Sequence, residues 1–210
     1  MVEFKEIQDM LIKADHAGLI KLVKSSLEGG VTSNDILNRG LIAGMEIVGE
    51  RMEEQEMFIP DVLQAAKAMK EAVEFLKPTL VEEGVATKGT VVIGTVKGDL
   101  HDIGKNLVAI MCESLGFEVH NIGVDISPEQ FIETVKEKNA DILMLSALLT
   151  TTMPMMKKTI ETAKENDLPN SVKILVGGAP ISQAFADKIG ADGYAPDAGS
   201  AARLANSLLD

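Results

Sequence analysis

The segment GTVKGDLHDIGKNLVAIM, residues 94–111, sets a histidine between two aspartates where an apolar run gives way to a helical pattern. Imidazole is the commonest metal ligand among side chains and changes charge near neutrality. Asp99, two positions before His101 in an irregular turn, can reach the second ring nitrogen, an arrangement that orients a metal-bound imidazole and raises its basicity. Gly98 and Gly104 let backbone come close to a bulky ligand without a side-chain clash. Asp102 stands where a helix N-cap is expected. His16 and His120 lack such neighbours and read as ordinary surface or packing histidines. One imidazole is too few ligands for a free transition metal, yet enough for a metal already held equatorially by a macrocycle.

The elements that must position these residues fall into two halves. Up to about residue 88 the apolar periodicity is helical. EFKEIQDMLIKA and HAGLIKLVKSSLEGG are amphipathic; Leu41, Met45, Val48 and Met52 mark a third segment, and Val62, Ala66, Met69, Val73 and Leu76 a fourth. A four-helix bundle over residues 1–88 is the expected packing. Pro60 suits the first turn of the last helix, and KPTLVEEGVATKG reads as its frayed end and a linker. Residues 89–210 instead show short apolar runs, each followed by a helical stretch: TVVIGT (90–95), FEVHNIG (117–123), DILMLSA (141–147), VKILVGG (172–178) and a weak GYA (193–195). Five strand–helix units predict an α/β domain with a five-stranded parallel sheet, flavodoxin-like (Rossmann-like) in order 2-1-3-4-5.

In that order the crevice opens above the carboxyl ends of strands 1, 3 and 4. Their loops are KGDLHDIG, SALLTTT and GGAP, which supply an aspartate and a histidine, a row of hydroxyls, and a bare glycine pair; loops 2 and 5 are expected to either side. A cleft walled by Ser146, Ala147 and the glycines can admit a long appendage of a macrocycle. A metal in a corrin with a nucleotide tail has this shape.

Composition narrows the classes further. The chain has 210 residues, 46% of them hydrophobic, which is ample for a core. No apolar run approaches the roughly 20 residues of a membrane span, and the first thirty residues carry lysines and glutamates instead of a secretory signal, so a cytoplasmic protein without a membrane partner is expected. The formal charge of −12 argues against nucleic acid, whose phosphates need a basic surface. The lone cysteine, Cys112, excludes an internal disulfide and lies in the apolar register of a helix, where packing is the expected role.

With Asp99, His101 and Gly104, then Ser146 and Leu148, then Gly177 and Gly178, the second half resembles the cobalamin-binding module whose signature is Asp-x-His-x-x-Gly, Ser-x-Leu and Gly-Gly. The stretch GMEIVGERMEEQEMFIPDVLQAAKAMKEAVEFLKP resembles the helical cap that precedes that module in methionine synthase and in the stand-alone corrinoid proteins of methyltransferase systems. The resemblance implies His101 as lower axial ligand of cobalt, with the cofactor's own benzimidazole displaced, and Asp99 as its hydrogen-bond partner. It implies Thr152 behind Asp99, where methionine synthase has a serine. It also places Gly98, Asp102, Ile103 and Gly104 at the cofactor, Ser146, Leu148, Thr150, Gly177 and Gly178 along the tail, and Met52 and Ile59 in the cap as shields of the methyl group.

The function so implied is that of a methyl carrier cycling between Co(I) and methylcobalamin, and not a complete enzyme alone. A substrate-specific methyltransferase would load it, a second would pass the methyl group to tetrahydrofolate or coenzyme M, and a reductive activase would restore Co(I). The alternatives are the cobalamin subunit of an adenosylcobalamin-dependent mutase, which lacks such a cap, and a cobalamin-based sensor, for which a DNA-binding segment would be expected.

Overall fold

The structure is a computed structural model that describes residues 4–84, 87–166, 168 and 171–209. It comprises two compact units, Met1–Ala86 and Thr87–Asp210.

The first unit is helical. Helices α1 (Phe4–Ile12) and α2 (His16–Glu28) are followed by a continuous helical run made of a single turn, α3 (Ser33–Asp35), a π-helical stretch Ile36–Ile42, and α4 (Ala43–Glu53). Helix α5 (Ile59–Glu82) completes the unit. Ile7, Leu11, Leu19, Val23, Leu41, Met45, Val48, Val62, Met69 and Leu76 are buried, in agreement with the helical spacing. The wide turn of the third segment was not legible as a period. It packs closely against α1: a Cβ on Gly40 would sit 2.9 Å from Ile7 Cγ2.

The end of α5 departs from expectation. The helix continues through Pro78 to Glu82 instead of fraying at Lys77. Proline removes one helical hydrogen bond, but side chains beyond it tie the last turn down. Thr79 Oγ1 accepts from Ser33 Oγ at 2.5 Å, and the Glu83 carboxylate accepts from the Ser33 and Asn34 amides at 2.9 Å each, capping α3 from a distance. Those two amides hold the Glu83 carboxyl below the usual glutamate range. Of the expected linker, Val85 and Ala86 lie outside the described residues.

The second unit is a parallel sheet of β1 (Thr90–Thr95), β2 (Glu118–Asn121), β3 (Ile142–Ser146), β4 (Lys173–Gly177) and β5 (Gly193–Ala195), in the order β2-β1-β3-β4-β5. Helices α6 (Ile103–Ser114), α7 (Pro128–Lys138), α8 (Met153–Glu165), α9 (Gln183–Ile189) and α10 (Ala198–Leu209) connect and follow the strands. Alternate strand residues serve opposite faces: Val92, Leu143, Leu145, Ile174 and Val176 pack with Phe131, Ile132, Met156, Ile160 and Ile189, while α6 and α10 pack against each other on the other side. Boundaries are chemical. Ser127 and Gln130 form a capping box on α7 with Pro128 in its first turn, and Ser182 caps α9, which ends on Gly190 in a left-handed conformation.

The register decides what meets at the carboxyl edge. Thr95, Ser146, Gly177 and Ala195 pair successively across β1, β3, β4 and β5, forming one row from which the site loops rise.

Candidate functional site

The loop from β1 to α6 is held by its own strand end. Buried Thr95 donates from Oγ1 to the His101 carbonyl at 2.8 Å, Val96 N–H bonds to Ser146 O, and Asp99 N–H bonds back to Val96 O. Gly98 takes φ +84°, a left-handed conformation that favours glycine. The turn drives Asp99 inward, to 0% exposure, and leaves the His101 side chain 50% exposed.

Asp99 is the centre of a hydrogen-bonded cluster. Its Oδ1 accepts from His101 Nδ1 at 2.7 Å and from the His101 amide at 3.1 Å. Its Oδ2 accepts from the amides of Leu148 at 2.7 Å and Leu149 at 3.2 Å, and from Thr152 Oγ1 at 2.8 Å. Burial opposes the charge on Asp99, but the bonds from the His101 ring, the Leu148 and His101 amides and Thr152 outweigh it and hold the carboxyl below the usual aspartate range. An ionised carboxylate only accepts, so Nδ1 carries a proton, and in the neutral form of such a ring Nε2 is the lone pair. A half-exposed imidazole with that tautomer is a ready ligand for a metal.

Around it the surface is apolar without being a core. Leu100 is 72% exposed and Ile103 74%, and Leu148 and Leu149 are exposed on the opposite loop. Gly104, in the first turn of α6, has nothing within 4 Å of where a Cβ would stand, so no neighbour in the protein demands glycine there. Ser146 and Gly177 are partners in the edge row, and Thr150 is exposed in the loop between β3 and α8.

One sequence reading needs correction. Asp102 occupies the N-cap position of α6 but makes no capping bond. Its backbone, at φ −130° and ψ −16°, is not the extended conformation a capping side chain uses, and its Oδ2 accepts instead from Asn106 Nδ2 at 3.1 Å. At Gly178 the fold makes a demand of its own: with φ +129°, a Cβ would collide with the Ala147 carbonyl oxygen. Gly177 is the freer position, its nearest obstacle being Ala195 O at 3.4 Å.

Loop 2, expected to lie aside, enters the site. Asp125 accepts from Gly98 N–H at 2.8 Å and its own N–H bonds to Asp99 O at 3.0 Å. No sequence spacing signals this, because the contact spans two loops. On the helical unit, Met52 is partly buried and Ile59 exposed, so Ile59 is not bundle core. His16 and His120 pair with exposed or half-exposed glutamates, Glu71 at 2.8 Å and Glu118 at 3.2 Å. Cys112 is fully buried, and burial pushes its thiol up to about 12.

The chain is similar to known proteins. Residues 89–203 match the family described as B12 binding domain, and residues 3–77 match a second family of that description. This chain belongs to the B12-binding proteins. A dimethylamine corrinoid protein of Methanosarcina barkeri is 45% identical over 206 residues, covering 98% of this chain and 96% of that one. Among solved structures, a cobalamin-binding protein of Desulfitobacterium hafniense superposes with TM-score 0.87 at 28% identity, over 99% of both chains. A chain of the methanol:cobalamin methyltransferase complex of Methanosarcina barkeri superposes with TM-score 0.80 at 29% identity, over 97% of this chain and 78% of the other. The cofactor of this B12-binding chain is accordingly a corrinoid. Among the described residues no helix is long and apolar enough to cross a membrane.

Proposed function

We propose that this B12-binding chain is a methyl carrier that works between two methyltransferases, one loading the methyl group from a small donor of the methylated-amine class and one passing it to tetrahydrofolate or coenzyme M, with a reductive activase restoring the carrier. The donor class is suggested by the dimethylamine corrinoid proteins, and the loading partner by the methyltransferase complex to which the fold is similar. The observation that carries the reading is the Asp99–His101 pair, with one nitrogen held by a buried carboxylate and the other facing outward.

The residues fit a corrinoid. One outward imidazole nitrogen is the donor, and among the described residues no group of three or more His, Cys, Asp or Glu could hold a bare metal. A macrocycle that brings its own equatorial ligands completes such a set. Exposed Leu100, Ile103 and Leu148 and the vacant side of Gly104 suit a large apolar face. His101 would hold cobalt through Nε2, while Gly98, Asp102, Ile103 and Gly104 would line the corrin. Ser146, Leu148, Thr150, Gly177 and Gly178 would receive the tail, and Met52 and Ile59 would shield the reactive side.

When bound, the corrinoid supplies a cobalt that takes up and releases a methyl group. The chain's own part is proton and ligand control. Asp99, gripped by Leu148, Leu149 and Thr152, keeps Nδ1 protonated and so keeps the Nε2 lone pair available. The Asp99 carboxylate, at 2.7 Å from Nδ1, would hold the ring in one orientation whether or not Nε2 is bound.

Reconstitution with hydroxocobalamin carrying an isotope label in its benzimidazole tests this. Spin resonance of the Co(II) form should show coupling to a nitrogen that does not respond to the label and disappears in His101→Ala. Coupling that follows the label would overturn the assignment of His101.

A further inference from the structure

The turn that carries Asp99 and His101 is held from outside by a residue that neither the signature nor the strand pattern singles out. Asp125 lies in the loop between β2 and α7, beside the bridge that pairs Val96 with Ile126. Its backbone is left-handed, φ +57°, a conformation that aspartate and asparagine visit more readily than most residues other than glycine. From there it grips three consecutive residues. Oδ1 accepts from Gly98 N–H at 2.8 Å, Oδ2 accepts from Lys97 Nζ at 3.1 Å, and Asp125 N–H donates to the Asp99 carbonyl at 3.0 Å. The next residue, Ile126, donates its N–H to Thr95 O at 3.0 Å, so loop 2 is itself anchored to the end of β1.

The consequence follows from the direction of these bonds. Gly98 at φ +84° is the one residue between Lys97 and Asp99, and glycine there has a wide choice of conformations unless something fixes its peptide plane. Asp125 fixes both sides of it, the Gly98 amide through the carboxylate and the Asp99 carbonyl through the backbone. The Asp99 side chain is then constrained at its root as well as at its carboxylate by Leu148, Leu149 and Thr152. From this we infer that Asp125 is a positioning residue for the Asp99–His101 pair: by accepting the Gly98 amide it sets the direction in which His101 presents Nε2. As to cobalt, the inference rests on His101 being the axial ligand; as to the pair itself, it does not. The accepting oxygen is the operative part, and the exposed Lys97 pairing is secondary.

Asp125→Gly tolerates the left-handed backbone and removes the acceptor; Asp125→Asn tolerates it and keeps the acceptor; Lys97→Met removes only the ion pair. The first readout needs no cofactor: nitrogen-15 spectra of the His101 ring in the unliganded protein. The hydrogen-bonded Nδ1–H resonance should shift or broaden in Asp125→Gly and stay near wild type in Asp125→Asn and Lys97→Met. The second readout is the histidine-coordinated fraction of bound Co(II) corrinoid and its dissociation constant. Affinity should fall roughly tenfold in Asp125→Gly, at the low end for outer partners of metal-ligating histidines, with recovery in Asp125→Asn. If Asp125→Gly does not fold, Asp125→Glu, which keeps a carboxylate but moves its oxygens off the Gly98 amide, serves in its place. Wild-type spectra from Asp125→Gly in both measurements would overturn the inference, as would an Asp125→Asn or Lys97→Met protein damaged as much as Asp125→Gly. A ring response in the unliganded protein, with no imidazole coupling in the wild-type corrinoid complex, would support the positioning role and refute the axial assignment.

Discussion

Two histidine–carboxylate pairs in this chain have nearly the same length and different meanings. His101 and Asp99 approach to 2.7 Å, His16 and Glu71 to 2.8 Å. Asp99 is 0% exposed and accepts from three amides and a hydroxyl besides the ring, whereas the Glu71 side chain is 44% exposed on the flank of α5. A solvated carboxylate moves with its side chain and is screened, so the His16 pair contributes little and holds nothing in place. A carboxylate fixed by the backbone of two loops makes its imidazole a directed ligand. Distance does not distinguish a site from a surface pair; the support behind the carboxylate does.

The sharpest way to break the comparison is to remove each carboxylate. Asp99→Ala leaves the Leu148, Leu149 and His101 amides without their acceptor and should destabilise the α/β unit by about 3 kcal/mol; Glu71→Ala should stay within about 0.5 kcal/mol. Denaturant melts followed by amide exchange in each unit measure both. Similar losses from the two would mean that burial of Asp99 is incidental.

Removing the rings comes next. His101→Ala should weaken corrinoid binding by roughly 10- to 100-fold, the scale on which metal sites lose affinity when their ligand arrangement is disturbed, while His16→Ala should bind as wild type. An absorbance titration decides it, and a deficit in His16→Ala would show that the helical unit's pair has a part in binding.

Acid should act on the two units through different groups. Asp99 and Glu83 both have carboxyls held below their ordinary ranges. A depressed folded-state pKa gives stability that is complete above the unfolded value and is lost as pH falls through the folded one. Stability of the α/β unit should therefore decline as pH drops below the ordinary aspartate range, and Asp99→Asn should flatten that decline. The helical unit should weaken below the ordinary glutamate range, where protonated Glu83 releases the Ser33 and Asn34 amides, and Glu83→Gln should remove that part. Unit-resolved amide exchange against pH separates them, and a slope in the α/β unit untouched by Asp99→Asn would count against the cluster as its origin.

The smallest expected effect is none. With its thiol pushed up to about 12 by burial, Cys112 should resist iodoacetamide at pH 8 in the folded protein and react only after unfolding. Mass spectrometry of folded and unfolded samples checks this; prompt labelling would show that α6 opens.

What the sequence determined by itself follows from periodicity and local chemistry. Period-3.6 and short-run patterns gave away the helical half and five parallel strands, because burial on one helical stripe or on both sheet faces must be written into consecutive residues, while the strand order, expected from the usual arrangement of such units, agrees with the one observed. The Asp99–His101 spacing was legible for the same reason, since both partners lie in one turn. The tertiary structure alone decided the rest. The capping failure of Asp102 depends on the φ and ψ the turn imposes, the necessity of Gly178 on the neighbouring Ala147 carbonyl, and the continuation of α5 past Pro78 on Ser33, some 45 residues earlier in the chain. Asp125 reaches Gly98 across 27 positions of sequence. Contacts of that kind join residues whose separation carries no period, and only the pairing of β1 with β2 brings their loops together.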